Sequence, residues 1–175
     1  MKFVQTSLPG AYVIELEKRS DERGFFARSF CVDELSSIGF DKTIVQANVS
    51  YNKHKGTLRG LHFQEAPFAE TKIVRCTKGR VYDVIVDMRN DSQTYKKWFG
   101  IELSETNHKA LFVPEGFAHG YVTLTEGAEV FYLVTALYNK DAERGIRYDD
   151  PAIGIQWPVV VEHVSEKDKK WPYIS

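Results

Sequence analysis

The feature that most constrains the fold of this chain is a succession of short β-prone segments separated by turn residues. The segment Val81–Met88 (VYDVIVDM) is typical of them: one of its faces is entirely apolar, and the other alternates between apolar and acidic residues. Such a period of two predicts a β-strand. Further strands are predicted at Ala11–Leu16, Ile73–Cys76, Trp98–Leu103, Ala110–Val113, Gly120–Leu124 and Glu129–Leu137.

Strands this short and closely spaced favour an antiparallel sandwich or jelly roll. Two short helices are predicted beside them. One covers Val32–Ile38 and ends at Gly39, and the other covers Ser165–Lys170 and begins with a good N-cap residue. The chain has 175 residues, 43% of them hydrophobic, and contains no internal repeat or linker. It therefore predicts a single all-β domain over residues 1–175.

The charge balance and the cysteines argue against several classes of protein. There are 23 basic and 24 acidic residues, which gives a formal net charge of -1 and predicts neither a nucleic-acid-binding nor a membrane-binding surface. Cys31 and Cys76 lie far apart and form no CxxC pair, which disfavours a disulfide framework or a cysteine zinc site. The N-terminal residues contain no apolar segment of a signal peptide, so we expect a cytoplasmic protein.

Two histidines lie in contexts that suggest a functional site. His62 belongs to the β-prone segment 58–64 (LRGLHFQ), and His119 belongs to segment 114–120 (PEGFAHG), which is predicted to be a loop entering a strand. Such loops often carry functional groups on a rigid scaffold. A single histidine among apolar neighbours is by default a core residue, but the second histidine motif favours a shared site.

A transition-metal site is an alternative interpretation of these histidines. Two histidines and a carboxylate can bind a transition metal, and β-barrels of the cupin type often do so. The local ligand pair expected in such barrels is missing, because the residue two positions after His62 is the amide Gln64. Metal binding is therefore disfavoured.

Arg59, Lys72 and two tyrosines are further candidates. Arginine suits bidentate contacts with phosphate oxygens and lysine supplies a compact charge, although a solvated position is the simpler interpretation of any one of them. Tyr132 and Tyr138 have the same parity, so a strand that continued unbroken over Glu129–Tyr138 would direct both to one face. One could donate a proton while the other stacks on a flat ring, or both could be core aromatics.

Asp168 is the last candidate, in segment 165–168 (SEKD). This segment resembles a helix capping box, with the acid three residues after Ser165. A functional role would require Asp168 to reach His62 from the far end of the chain, which the sequence does not determine.

Several short motifs follow one another along the chain: DERGFF at 21–26, QAN at 46–48, LRGLHFQ at 58–64, KIVRCTKGRVYDVIVDMR at 72–89, PEGFAHG at 114–120, DDPAIGIQWP at 149–158 and SEKD at 165–168, together with Tyr132 and Tyr138. In their order and spacing, these motifs resemble the dTDP-4-dehydrorhamnose 3,5-epimerase family almost from end to end. The resemblance implies a cupin-type jelly-roll barrel with a few short peripheral helices, a homodimer, and a nucleotide-sugar substrate. It implies inversion of C3 and C5 of dTDP-4-dehydro-6-deoxy-D-glucose, without a metal or another cofactor.

The resemblance also implies a role for each matching residue. His62 resembles the general base, and Asp168 resembles the partner that orients its imidazole. Tyr132 resembles the general acid on the opposite face of the sugar, and Lys72 the cation that stabilises negative charge on O4. Other positions resemble substrate contacts: Arg23, Gln46, Asn48, Arg59, His119, Tyr138, Glu143 and Lys167, with Arg28 at the position next to the nucleotide base.

These residue types suit the implied chemistry. A proton next to a ketone is a weak acid, so its removal creates an enolate that must be stabilised. A histidine titrates near neutrality and suits general-base work, which contributes typically ~10²–10⁴-fold to the rate. A cation beside O4 lowers the energy of the enolate where its charge develops. Inversion then needs a proton from the other face, which a tyrosine can provide.

Arg28 departs from the family pattern, because an acidic residue is usual at that position. Arginine cannot accept a hydrogen bond from thymine, and Arg19 likewise replaces a common apolar or aromatic neighbour of the base. An epimerase of only C3 or only C5, acting on a CDP- or GDP-linked ketosugar, is therefore an alternative. A metal-dependent cupin enzyme is less favoured because the expected ligand pair is missing at Gln64. A non-catalytic binding module has little need for the acid–base pair of His62 and Tyr132. A 3,4-ketoisomerase would need a base but no acid on the opposite face.

Overall fold

The computed structural model describes residues 1–174, and most of their regular structure is β-strand. One α-helix, α1 (Val32–Ser36), and a 3-10 turn at Asp168–Lys170 complete it, and no helix in this range has the length and apolarity to cross a bilayer. The strands are β1 (Lys2–Gln5), β2 (Tyr12–Glu15), β3 (Arg19–Asp21), β4 (Gly24–Phe26), β5 (Gln46–Asn52), β6 (Thr57–Gln64), β7 (Lys72–Lys78), β8 (Arg80–Asp87), β9 (Trp98–Ser104), β10 (Ala110–Val113), β11 (Phe117–Thr123), β12 (Ala128–Val134), β13 (Glu143–Gly145) and β14 (His163–Val164).

Two six-stranded sheets form the body of the fold. The first has the strand order β1-β2-β10-β7-β12-β5, and all its pairs are antiparallel. The second has the order β13-β6-β11-β8-β9, with β14 added parallel to β6. Strands β3 and β4 form a separate hairpin. The predicted all-β jelly roll is confirmed.

The main core lies between the two sheets. It joins Val74, Leu111 and Val130 from the first sheet to Val81 and Ile85 from the second. Side chains that face this core alternate along a strand with side chains that face outward, as the pleat of a sheet requires. On β12 the inward row also holds the half-buried Tyr132, which packs against this core. The core therefore gives way to polar side chains at that end of the sandwich.

Each sheet is also covered on its outer face. The outer face of the first sheet packs against α1 and the loop after it, where Leu35 and Phe40 meet Ile73 and Phe112. The outer face of the second sheet packs against the C-terminal segment through residues such as Ile153. The chain after β13 is thus bound to the same sheet that carries His62.

All seven predicted strands and the first helix are present, with ends shifted by up to three residues, but three local predictions were wrong. The strand predicted over Glu129–Leu137 ends at Val134, so Tyr138 lies outside it. His119 lies within β11 and not in a loop. The helix predicted over Ser165–Lys170 is only the 3-10 turn, although the main-chain N of Asp168 does donate to Ser165 Oγ at 3.1 Å.

Candidate active site

A bulge in β6 brings Arg59 and His62 to the same side of their sheet. On the neighbouring strand β11, His119 pairs with His62 and Tyr121 pairs with Arg59, so two steps on β11 correspond to three on β6. Residues three apart on an unbroken strand would point to opposite faces. The extra residue reverses that alternation, and all four side chains line one cavity.

Gly60 makes this bulge possible. Its φ is +117°, and a Cβ added there would lie 2.6 Å from Cα of Gly120 and 2.7 Å from the carbonyl oxygen of His119. Residues that carry a side chain rarely adopt such a φ, and a Cβ cannot fit this close to the backbone of β11. The glycine between Arg59 and His62 is therefore needed for their placement.

His62 is paired with Asp168 inside the cavity. Nε2 of His62 lies 2.6 Å from Oδ1 of Asp168, and the main-chain N of Gly60 donates to Oδ2 at 3.4 Å. Burial by itself would raise the pKa of Asp168, but the hydrogen bond and charge of His62 hold it below its usual value. Trp171 packs edge-on against the His62 ring, with 5.9 Å between ring centroids. The imidazole is thus fixed on two sides.

His119 has a carboxylate partner of its own. Its Nε2 lies 3.0 Å from both carboxylate oxygens of Asp83, a fully buried residue on β8. Arg59 is held by Asn52 at the end of β5, because its Nε donates to Oδ1 of Asn52 at 2.7 Å. A cation and a histidine are therefore fixed side by side on the wall of the cavity, an arrangement suited to phosphate oxygens.

Lys72 and Tyr132 approach from the first sheet. Lys72 is 7% exposed, and its Nζ lies 2.9 Å from Oε1 of Glu70. Nζ also donates to the main-chain oxygen of His62 at 3.4 Å. Burial, and then the negative charge of Glu70, raise the pKa of the Tyr132 phenol, so this tyrosine keeps its proton.

A polar cluster of Tyr138, Glu143 and Lys167 adjoins these groups. Lys167 Nζ lies 2.6 and 2.5 Å from the two carboxylate oxygens of Glu143, and Tyr138 OH donates to Oε2 at 2.9 Å. Burial would raise the pKa of Glu143, but these hydrogen bonds hold it below its usual value. Tyr138 thus shares a cavity with Tyr132 through the loop after β12, not through the continuous strand that the sequence predicted.

The predicted residues line two adjoining cavities of about 660 and 290 Å³. Both cavities are lined by His62, Lys72, Tyr132 and Lys167. Eleven of the thirteen predicted site residues lie in their walls: His62, Lys72, Tyr132, Asp168, Gln46, Asn48, Arg59, His119, Tyr138, Glu143 and Lys167.

Arg23 and Arg28 lie outside both cavities. Arg23 is bound to Asp21 through Nη2 and Oδ2 at 2.6 Å. Arg28 pairs with Glu34 and lines a separate cavity of about 240 Å³ together with Arg19.

Sequence reasoning missed Glu70, Asp83 and Asn52, which hold the predicted residues in place. Asp83 could have been found from the sequence, because it is one of two acidic residues on one face of a predicted strand whose other residues are apolar. Glu70 and Asn52 left none, since polar residues beside turns are usually exposed. Gln64, considered above for its place in a metal motif, instead holds loops: Oε1 accepts from Asn139 N at 2.6 Å, and Nε2 donates to Phe68 O at 3.0 Å.

Residues 1–174 contain no group of three or more His, Cys, Asp or Glu side chains placed to hold a metal ion. What the cavity does contain is a histidine oriented by a carboxylate, a protonated phenol and a buried ammonium. This set can remove a proton from carbon, stabilise the resulting oxyanion and return a proton.

Comparisons with known proteins agree with this chemistry. The family model described as dTDP-4-dehydrorhamnose 3,5-epimerase matches residues 5–175. The dTDP-4-dehydrorhamnose 3,5-epimerase of Methanothermobacter thermautotrophicus is 44% identical over 174 residues, which cover 97% of this chain and 92% of that protein.

Solved structures show the same similarity. The Bacillus anthracis dTDP-4-dehydrorhamnose 3,5-epimerase, with TDP and PPi bound, superposes with a TM-score of 0.94 at 42% identity, covering 99% of each chain. The Legionella pneumophila dTDP-6-deoxy-D-glucose-3,5-epimerase, in complex with dTDP-4-keto-L-rhamnose, has a TM-score of 0.89 at 37% identity, covering 95% of this chain and 89% of that one.

Proposed function

This chain belongs to the dTDP-4-dehydrorhamnose 3,5-epimerase family, and we propose that His62, Lys72, Tyr132 and Asp168 carry out its reaction. The protein is an isomerase that inverts C3 and C5 of dTDP-4-dehydro-6-deoxy-D-glucose to form dTDP-4-dehydro-L-rhamnose. The observation that carries the assignment of residues is the pair His62–Asp168, which lines the same cavity as Lys72 and Tyr132.

His62 is the base. When its Nε2–H donates to Asp168 Oδ1, Nδ1 keeps the lone pair that accepts the proton. Removal of the proton from C5 or C3 moves the electron pair toward the ketone and leaves an enolate with its charge on O4. The carboxylate of Asp168 stabilises the imidazolium that forms, as the aspartate of a Ser-His-Asp triad does for its histidine.

Lys72 and Tyr132 complete the inversion. The ammonium of Lys72 stabilises the developing charge on O4. The phenol of Tyr132 then gives its proton to the same carbon from the opposite face, so the configuration of that carbon is reversed. Solvent then takes the proton from the His62 imidazolium and returns a proton to the Tyr132 phenolate, so the carbon has exchanged its hydrogen with water without any change in oxidation state.

Arg59 and His119 bind the diphosphate of the substrate in this proposal. Both line the larger cavity, and their partners Asn52 and Asp83 hold them in place. Gln46, Asn48, Tyr138, Glu143 and Lys167 contact the sugar from the smaller cavity.

We also propose a homodimer in the cytoplasm. Arg23 and Arg28 lie outside the cavities of their own chain, so a substrate contact from either would come from a second copy. Cys31 and Cys76 are free thiols, which suits a reducing compartment. Light scattering on the purified protein measures its oligomeric state, and a monomer at catalytic concentrations would contradict the proposed homodimer.

Proton NMR in D₂O tests the function with dTDP-4-keto-6-deoxyglucose as substrate. We expect deuterium to enter at both C3 and C5, with formation of the L-lyxo product. Exchange at one carbon only would define a mono-epimerase. Lack of exchange with this substrate, followed by exchange of the CDP- or GDP-linked ketosugar, would overturn the dTDP assignment and point to the Arg28 position as its cause.

A further inference from the structure

Glu70 lies beside the proposed catalytic groups and has no role in the scheme above. It stands in the segment between β6 and β7, and its carboxylate lines the smaller cavity with a side-chain exposure of 14%. A carboxylate this buried needs a partner that compensates its charge. Its Oε1 lies 2.9 Å from Nζ of Lys72, which is itself buried.

The geometry at Lys72 indicates what this pair does. An ammonium has three N–H donors. One of them meets Glu70 at 2.9 Å, and a second meets the main-chain oxygen of His62 at 3.4 Å. Together these two acceptors fix the direction of the third N–H.

We propose that Glu70 is a positioning residue of the epimerase: it fixes the Lys72 ammonium in the cavity wall, with one N–H free for O4 of the sugar. This inference rests on the proposed function, because it gives Lys72 the role of stabilising the enolate. Long lysine side chains are mobile unless they are held, and a displacement of about 1 Å can reduce a rate by roughly 100-fold. Glu70 therefore acts on the rate through Lys72.

The negative charge of Glu70 also affects Tyr132. It raises the pKa of this phenol, second only to burial, while Arg59 lowers it. The other charged or titratable groups that line the two cavities are Lys72 on β7, His62 on β6, His119 and Tyr121 on β11, Tyr138 in the loop after β12, Glu143 on β13, and Glu162, His163, Lys167 and Asp168 on the C-terminal segment. Loss of the Glu70 charge lowers the pKa of Tyr132, so the protonated acid is lost at a lower pH.

Two substitutions separate position from charge. Glu70→Ala removes both the acceptor and the charge, and we expect kcat to fall on the order of 10–100-fold while KM stays within about twofold. Glu70→Gln keeps an acceptor oxygen, so it should lose less activity, but the alkaline limb of its kcat profile should move to lower pH. Glu65→Gln is the matched control, since Glu65 pairs with Arg144 at 2.8 Å outside both cavities and is 51% exposed.

A double-mutant cycle with Lys72→Met tests whether Glu70 acts through the lysine. We expect Glu70→Ala to cause no further loss of deuterium entry at C3 and C5 in the Lys72→Met background. Melting temperatures of all variants show that each is folded, and Glu70→Gln preserves the shape of the site if Glu70→Ala does not fold.

The outcomes separate this inference from the proposed function. Loss of activity in Lys72→Met, together with wild-type rates and pH profiles in the folded Glu70 variants, overturns the inference alone. The inference is also overturned if Glu70→Ala causes the same fold-loss of deuterium entry in the wild-type background and in the Lys72→Met background. Wild-type rates in Lys72→Met overturn the role of Lys72 in the proposed function, and the inference with it.

Discussion

Nε2 of His62 lies 2.6 Å from Oδ1 of Asp168, although the two residues are 106 positions apart in the chain. Asp168 is 4% exposed and also accepts from the main-chain N of Gly60 at 3.4 Å. Its own main-chain N donates to Ser165 Oγ, so the residue is both the end of a local cap and the partner of a distant histidine. The structural and the functional interpretations of Asp168 are therefore compatible.

His62→Ala should reduce deuterium entry at C3 and C5 to a small fraction of the wild-type rate, because the proposed base is removed. We expect a loss on the order of 10²–10⁴-fold, measured by NMR in D₂O. The far-UV circular dichroism spectrum should be unchanged, since His62 is a half-buried side chain at the cavity wall. His108→Asn is the control, on the opposite side of the first sheet. Exchange at the wild-type rate in His62→Ala would refute the assignment of the base.

Asp168→Asn should reduce the exchange rate by roughly 10²–10⁴-fold while the substrate still binds. The amide has the shape of the carboxylate, but it cannot stabilise an imidazolium and it can select the other imidazole tautomer. Steady-state kinetics checks this: kcat should fall with little change in KM. A variant within twofold of the wild-type kcat would show that His62 works without its partner.

Tyr132→Phe should separate proton removal from inversion. The ring remains but the proton donor is lost, so deuterium should still enter from the His62 side while the L-lyxo product fails to form. Following exchange and product in the same NMR sample measures both steps. Complete epimerisation by this variant would mean that another group is the acid.

Gly60→Ala should destabilise the protein and impair catalysis together. The new Cβ would lie 2.6 Å from Cα of Gly120 at a φ of +117°, and overpacking with backbone strain typically lowers the free energy of unfolding by about 2–5 kcal/mol. Gly39→Ala is the matched control, because its φ is +82° with no atom within 4 Å of the added Cβ. Urea denaturation measures the free energy of unfolding of both variants. An equal loss of stability in Gly60→Ala and Gly39→Ala would contradict the role of close packing.

Asp87 should make the stability depend on pH. This fully buried carboxylate accepts hydrogen bonds from Arg89, Ser92 and Thr94. Burial alone would raise its pKa, but these donors hold the pKa well below its usual range. A pKa that is depressed on folding stabilises the protein above the unfolded value, about 3.9, and this contribution is lost as the pH falls toward the folded value.

Asp87→Asn should accordingly lower the free energy of unfolding by roughly 3 kcal/mol at pH 7, and its difference from the wild type should narrow between about pH 4 and 2. Denaturant titrations at several pH values measure this. Asp41→Asn, at an exposed aspartate, is the control and should follow the wild type. A difference that stays constant down to pH 2 would rule out the linkage.

Several features could be predicted because their signals are local. The alternation in Val81–Met88 predicts a strand, since a pleated sheet places successive side chains on opposite faces. The order of short motifs identified the family, and with it eleven residues that the fold brings to the cavities. Tyr138 shows the limit of such reasoning: parity predicted its direction only for a strand that in fact ends at Val134.

By itself, the sequence determined the strands through their periodicity, and the reaction class and the residue types of the site through the resemblance of its motifs to a known family. Both signals could be used because they are carried by neighbouring residues. Only the tertiary structure decided which of those side chains meet. The bulge at Gly60 that turns Arg59 and His62 to one side depends on the register with β11. The pairs His62–Asp168, His119–Asp83 and Lys72–Glu70 likewise exist because packed strands and the C-terminal segment bring these side chains together. Burial makes each pair obligatory, and burial is a property of the whole fold.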